Sequence, residues 1–259
     1  MPDRRLPNSV LSLLPGHVWS VAWEYEGTIT VWRGTDTHGT DIFVKIRRSD
    51  ETITLVAEAE RLRWLRAYVR VPEVLSVYHE GDLDVLVLAR IPGRDATDAG
   101  LRADPASLVP AMARGLRRFH DSLPVAECPF DWKLDTALEQ VRSRVRAGIA
   151  EAPRSDDFDL TIEQAVAVLE NQRPDESDVV VCHGDYCFPN AMLEDGKVTG
   201  YLDVGELGVA HRWWDLAVAT WSTTWNVGPG WEDLFLVSYG VERDADVEYY
   251  FRVLYDLAS

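Results

Sequence analysis

At 259 residues, with 46% hydrophobic and 27% charged residues, the chain is long enough for one large domain or two small lobes around packed cores. Its formal net charge of -17 disfavours nucleic acid and anionic membrane surfaces as partners and would attract a cationic small molecule. Three cysteines (Cys128, Cys182, Cys187) form no CxxC pair, and Met-Pro-Asp-Arg-Arg leads into no long apolar run, so a reduced, cytoplasmic setting without signal peptide or membrane span is expected.

The first half reads as strands. Val18 to Tyr25, Thr28 to Arg33 and Thr40 to Arg47 are rich in β-branched and aromatic residues, with Gly27 and Gly39 at the joints, which predicts an antiparallel meander. In the third strand Ile42, Val44 and Ile46 share one face while Phe43 and Lys45 share the other. A lysine so placed either points inward or snorkels at an edge. Glu51 to Tyr68 then predicts a helix with Leu55, Ala59, Leu62 and Leu65 at helical spacing and Glu58 among them. Pairing of Lys45 with Glu58 is the arrangement that fixes a lysine onto nucleotide phosphates. Val74 to His79 and Asp84 to Arg90 predict two more strands, and Ile91-Pro92-Gly93 stops the sheet.

The second half is mainly helical. Asp104-Pro105 is an N-cap with proline at the first helical position, opening a helix to about Ser122. Lys133 to Ile149 predicts another. Ser155 to Asp159 is an acidic cluster, read either as a solvated helix entrance or as a cation site, and Thr161 with Gln164 fits a capping box for a helix to about Asn171. Further helices are predicted around Trp213 to Thr223, Trp231 to Tyr239 and Asp246 to Leu257. Strands with one early helix followed by helices predict an α+β protein of two lobes, 1–91 and 92–259, with a ligand site between them.

Between the later helices lies a polar loop. Val179 to Cys182 predicts a buried strand that delivers His183, Asp185 and Asn190. Ala191 to Leu193 and Val198 to Leu202 then pair through Asp195-Gly196, a favoured hairpin dipeptide, and bring back Asp203. An Asp, an Asn five residues on and an Asp after a hairpin is the spacing by which kinases place a hydroxyl-orienting carboxylate and two metal ligands. No G-x-x-x-x-G-K-[ST] or G-x-G-x-x-G occurs, so Glu26-Gly27-Thr28 is the sole candidate turn over phosphates. About ten residues separate Asp203 from the next predicted helix. No Ala-Pro-Glu follows, and Gly184 stands where a phosphate-reading arginine would be. A small-molecule acceptor is therefore favoured over a protein. Cys182 and His183 fall on opposite strand faces, against a cysteine hydrolase, and His183, Asp185 and His211 match no common zinc spacing.

Cys182 to Asn190 with Gly200 to Ala210 resembles the aminoglycoside phosphotransferase family, nearest its 3'-phosphotransferases, with the streptomycin enzymes close by. The similarity extends to Phe43-Val44-Lys45, Glu58 to Leu65, Ile91-Pro92-Gly93, Cys128-Pro129-Phe130 and Trp231 to Gly240. The resemblance implies a protein-kinase-like fold with ATP or GTP as donor. Lys45, held by Glu58, would contact the phosphates, Gly27 and Thr28 would cover them, and the backbone at Ala89 to Ile91 would meet the base. Asn190 and Asp203 would hold Mg2+, and Asp185 would orient the acceptor hydroxyl.

The same resemblance suggests acidic contacts to a cationic acceptor from Asp157, Asp159, Glu206 and Asp256, with Trp221 and Trp225 either stacking on it or packing in the core. The chain departs from the family at Leu160, Glu206, His211, Trp221-Ser222, Trp225 and Tyr255, which implies a narrower or different acceptor range. An active antibiotic or metabolite kinase, as monomer or homodimer, and a binding module that has lost turnover both remain open. The presence of Lys45, Glu58, Asp185, Asn190 and Asp203 favours the first.

Overall fold

The computed structural model describes residues 6–25, 28–48, 54–155 and 158–258. Its contacts divide the chain into two compact units, 1–92 with 200–205 and 93–199 with 206–259.

In the first unit a short helix, α1 (Asn8–Leu13), precedes three strands, β1 (Val18–Tyr25), β2 (Ile29–Thr35) and β3 (Asp41–Arg48). Helix α2 (Leu55–Leu65) and strands β4 (Val74–Glu80) and β5 (Leu83–Ala89) complete it. The sheet order is β1-β2-β3-β5-β4, and the registers among these strands are antiparallel. The alternation along β3 decides which layer covers which face. Ile42, Val44 and Ile46 pack with Val10, Val85 and Val87 in an apolar cluster, while Lys45, opposite Leu86, projects to the other face. Thr54 caps α2 by accepting the Ala57 N–H, and Leu55, Ala59, Leu62 and Leu65 are buried together with Glu58. The start of the predicted helix, Glu51, lies outside the described residues.

The second unit carries β6 (Arg94–Asp95), α3 (Ala99–Arg102), α4 (Pro105–Ser122), α5 (Leu134–Ala147), β7 (Arg154–Ser155), β8 (Phe158–Asp159) and α6 (Ile162–Asn171). There follow β9 (Val179–Cys182), β10 (Ala191–Glu194), β11 (Lys197–Tyr201), whose last two residues group with the first unit, and β12 (Gly208–His211). Helices α7 (Trp213–Val227), α8 (Glu232–Tyr239) and α9 (Ala245–Ala258) end the chain. Asp104 caps α4 through the Ser107 N–H, and Thr161 and Gln164 form the expected capping box. Asp195 and Gly196 both have positive φ, 48° and 70°, as a type I′ hairpin turn between β10 and β11 requires.

Two features differ from the sequence reading. The stretch after Asp203 holds a further strand, β12, antiparallel to β9 with Cys182 opposite Gly208 and Val179 opposite His211. Its four residues are buried and carry no polar alternation, which left no periodic signal. At the edges of the acidic segment, Arg154–Ser155 pairs with Phe158–Asp159 as β7 and β8 ahead of α6. Helix α7 is buried from Trp213 to Thr223, so it runs through the core of its unit. Among the described residues no helix is long and apolar enough to cross a membrane.

Candidate active site

In the first unit β3 and α2 bring Lys45 and Glu58 together. Lys45 Nζ donates to Glu58 Oε2 at 2.9 Å and to Asp203 Oδ1 at 2.7 Å. The Lys45 and Glu58 side chains are 8% and 3% exposed, whereas that of Asp203 is 39% exposed. Burial by itself would lower the lysine pKa, but the charges of Asp203 and then Glu58 outweigh it and raise the value, so the ammonium is retained. Asp203 adopts a left-handed backbone, φ 52°, a conformation uncommon outside glycine that aims its carboxylate at Lys45. The two expected phosphate-side elements, a held lysine and the post-hairpin aspartate, are thus one ion-pair cluster.

In the second unit β9 ends in the loop that carries Asp185. Asn190 Nδ2 donates to Asp185 Oδ2 at 2.8 Å and to the Asp185 backbone carbonyl at 3.0 Å. Tyr255 of α9 donates its phenolic hydrogen to Asp185 Oδ1 at 2.9 Å. His183 is fully buried, accepts the Asp185 N–H on Nδ1 at 3.3 Å and packs against Phe119 and Tyr186, so it braces the loop. Gly184 has φ 93°, and a Cβ there would lie 2.5 Å from the Glu206 Cβ and carbonyl oxygen. Any side chain, including an arginine for reading phosphate on a loop, is excluded at that position.

Helix α7 holds this loop from beneath with residues the sequence reading passed over. Asp215 accepts the His183 N–H at 2.6 Å and the Gly184 N–H at 2.9 Å. Its side chain is completely buried and also meets His120 Nε2 at 2.9 Å. Trp214 Nε1 donates to the Gly184 carbonyl at 2.7 Å, and Ser222 Oγ accepts the Phe188 N–H at 2.9 Å. One signal for Asp215 was available: a lone carboxylate inside Trp-Trp-Asp-Leu-Ala-Val-Ala must be buried, and a buried carboxylate needs donors. His120, Cys182 and Asp215 lie close enough to share an ion. Burial and the Asp215 charge push the Cys182 thiol well above its ordinary pKa, so it stays protonated, and both Asp215 oxygens already hold backbone N–H groups. That cluster is a hydrogen-bond anchor, not a metal centre.

The remaining expected residues scatter. Gly27 and Asp157 lie outside the described residues. Thr28 closes the β1–β2 turn, donating both its N–H and its hydroxyl to the Tyr25 carbonyl. Ala89 spends its N–H on the Glu73 carbonyl at 2.9 Å. Ile91 is buried against Gly200. Asp159 is exposed on β8, Glu206 and Asp256 are half-buried, and Glu206 lies against Gly184. Trp221 is only 4% exposed and packs against Phe158, Trp225 and the Arg252 guanidinium, so of its two expected fates it takes the core one. Trp225, its ring tilted 30° against that of Trp221 with the centroids 5.2 Å apart, is 60% exposed. His211 stacks on Phe251 and accepts the Trp213 N–H, and burial lowers its pKa, which keeps it neutral.

The residues expected at a metal fit a hard divalent cation. In the second unit Asn190 turns the amino end of its amide to Asp185, which keeps the amide oxygen on the other end, and in the first unit Asp203 has a partly exposed carboxylate. Amide and carboxylate oxygens are the donor set that Mg2+ takes.

A lysine on an antiparallel sheet paired with a glutamate on the adjoining helix, and a buried loop presenting Asp185 and Asn190 from a helical unit, define a kinase-type phosphotransferase of protein-kinase-like α+β fold. The model of the phosphotransferase enzyme family (APH) matches residues 21–250, and the chain belongs to that family. It is 35% identical over 242 residues to an aminoglycoside 3'-phosphotransferase of Streptomyces ribosidificus, covering 88% of this chain and 90% of that one. It is 33% identical over 236 residues to a streptomycin 3''-kinase of Streptomyces griseus, with 84% and 83% covered. The solved structure of a type VIII aminoglycoside-3'-phosphotransferase matches with a TM-score of 0.86 at 30% identity, covering 96% of this chain and 97% of that one.

Proposed function

We propose that this phosphotransferase moves the γ-phosphoryl group of ATP (or GTP) to a hydroxyl of an aminoglycoside, an activity that would give resistance to that antibiotic. The observation that carries the reading is Asp185, a carboxylate fixed on both oxygens at the head of a buried loop, as an acceptor for a hydroxyl proton must be. The names of the relatives supply the acceptor class, and the charge of -17 suits a polycationic one.

In this mechanism Lys45 holds the donor's α- and β-phosphates, and Glu58 keeps its ammonium charged and aimed. Asn190 and Asp203 would hold Mg2+, which supplies charge neutralisation on the phosphates. Asp185 orients the acceptor hydroxyl. Because the transition state of phosphoryl transfer is loose, its alignment of the hydroxyl contributes more than its strength as a base. Asp159, Glu206 and Asp256 are the acids we assign to the ammonium groups of the acceptor, with the exposed Trp225 ring as a face for a sugar. Cys128, Cys182 and Cys187 are free thiols, in keeping with a cytoplasmic enzyme supplied with ATP.

The test is Asp185→Ala assayed with magnesium-ATP against kanamycin, neomycin, streptomycin and a peptide antibiotic. The wild type should phosphorylate at least one aminoglycoside, and the variant should lose turnover while nucleotide still binds. Turnover retained in the variant would remove Asp185 from the mechanism. Wild-type activity on the peptide antibiotic alone would replace the acceptor.

A further inference from the structure

Three observations converge on the C-terminal helix. Tyr255 of α9 bonds Asp185, its hydroxyl 2.9 Å from Oδ1, while Asn190 meets Oδ2 at 2.8 Å. The phenol ring meets Trp214 edge to face at 6.5 Å, and Trp214 is itself tied to the same loop through the Gly184 carbonyl. Burial, then the negative charges of Asp185 and Glu206, push the phenol well above its ordinary pKa. At working pH it is a neutral donor, unable to compete with Asp185 for a proton.

A carboxylate offers about four lone-pair positions on its two oxygens. A donor on each oxygen, as Tyr255 and Asn190 supply, stops rotation about the terminal bond. We infer that Tyr255 is a positioning residue for phosphoryl transfer: with Asn190 it locks the plane of the Asp185 carboxylate in the orientation that meets the acceptor hydroxyl. Misplacement of the hydroxyl by about 1 Å costs rate on the order of a hundredfold. The phenol thereby acts through Asp185 and needs no contact with the acceptor.

This inference rests on the kinase reading, and the experiment separates the two. Wild-type full-length chain is assayed first with magnesium-ATP and the aminoglycosides above. Absence of turnover there overturns the kinase reading, and this inference with it. Given turnover, Tyr255→Phe keeps the ring against Trp214 and removes one oxygen. It should lower kcat about tenfold or more, with KM for ATP and for the acceptor changed by less than about twofold. In an Asp185→Asn background the same substitution should have almost no further effect, since the group it positions is gone. A kcat within about twofold of wild type, a change confined to the acceptor KM, or full additivity in the double variant would each overturn the inference while leaving the kinase reading intact. Thermal melting monitors folding of the variants. Should Tyr255→Phe fail to fold, 3-fluorotyrosine at 255 alters the donor strength of the phenol at nearly constant shape, and an unchanged kcat would overturn the inference equally.

Discussion

Replacing Asp215 by Asn tests how the catalytic loop is held. The carboxylate accepts from the His183 N–H at 2.6 Å, the Gly184 N–H at 2.9 Å and His120 Nε2 at 2.9 Å, with no exposure to water. Hydrogen bonds to a charged group contribute about 1.5–3 kcal/mol each. An amide of the same shape has one accepting oxygen, and its amino end must face a backbone N–H, so one bond is lost and a donor meets a donor. The cost expected is about 3–5 kcal/mol, the range for breaking a buried charged contact. For a chain of this size that corresponds to a fall in Tm on the order of 10 °C. Gly184 directly precedes Asp185, so a loop released at that point also misplaces the reacting carboxylate, and kcat should fall on the order of a hundredfold. Differential scanning calorimetry and a coupled ADP-release assay read the two effects. A Tm within about 2 °C of wild type together with unchanged kcat would refute the claim that Asp215 anchors the loop.

Lys45→Met should abolish turnover and cost about 3–5 kcal/mol, because Glu58 is left buried without its cation. Lys45→Met/Glu58→Gln should recover much of that stability in urea titrations without recovering activity, and recovery of both would contradict the phosphate-holding role. Stability should also decline at alkaline pH. Burial pushes Tyr239 and Tyr250 up to about 12, against about 10 in the unfolded chain. A raised pKa gives stability that is complete below the unfolded value and is lost as pH rises from about 10 to about 12. Unfolding midpoints that stay level across that window would contradict the burial of these phenols.

Local chemistry made much of the fold legible. Asp104-Pro105, the Thr161–Gln164 capping box and the Asp195-Gly196 turn each act within four residues, so their consequences could be read where they stand. Strand alternation put Lys45 on the face opposite Ile42, Val44 and Ile46 but left open whether it turned inward, and helical spacing offered Glu58 as a partner that the structure then supplies. The supports of the loop were not legible for the opposite reason. Asp215 and Tyr255 find their partners 32 and 70 residues away, and the apolar run around Asp215 signals its burial without naming the donors it would meet. Asp215 sits in the first turn of α7, where an acid is ordinary, and Tyr255 has the look of any amphipathic helix residue. Strand β12 was hidden by its own burial on four consecutive positions. Trp221 and Trp225, four apart on one helix, read alike in sequence, and packing against Phe158 and Arg252 separates them.

The grouping of residues 200–205 with the first unit has a consequence for how this protein can be built and altered. The carboxylate that completes the lysine cluster is encoded 158 residues after the lysine. During synthesis Lys45 and Glu58 exist for most of that interval as a pair lacking its third member. A fragment ending at Pro92 would carry the sheet and the lysine yet lack Asp203, so the first unit is not a separable module. Recombination that exchanges 1–92 between relatives therefore transplants a lysine into the company of another protein's aspartate, and the cluster is exchanged whole only where that distant six-residue stretch travels with it.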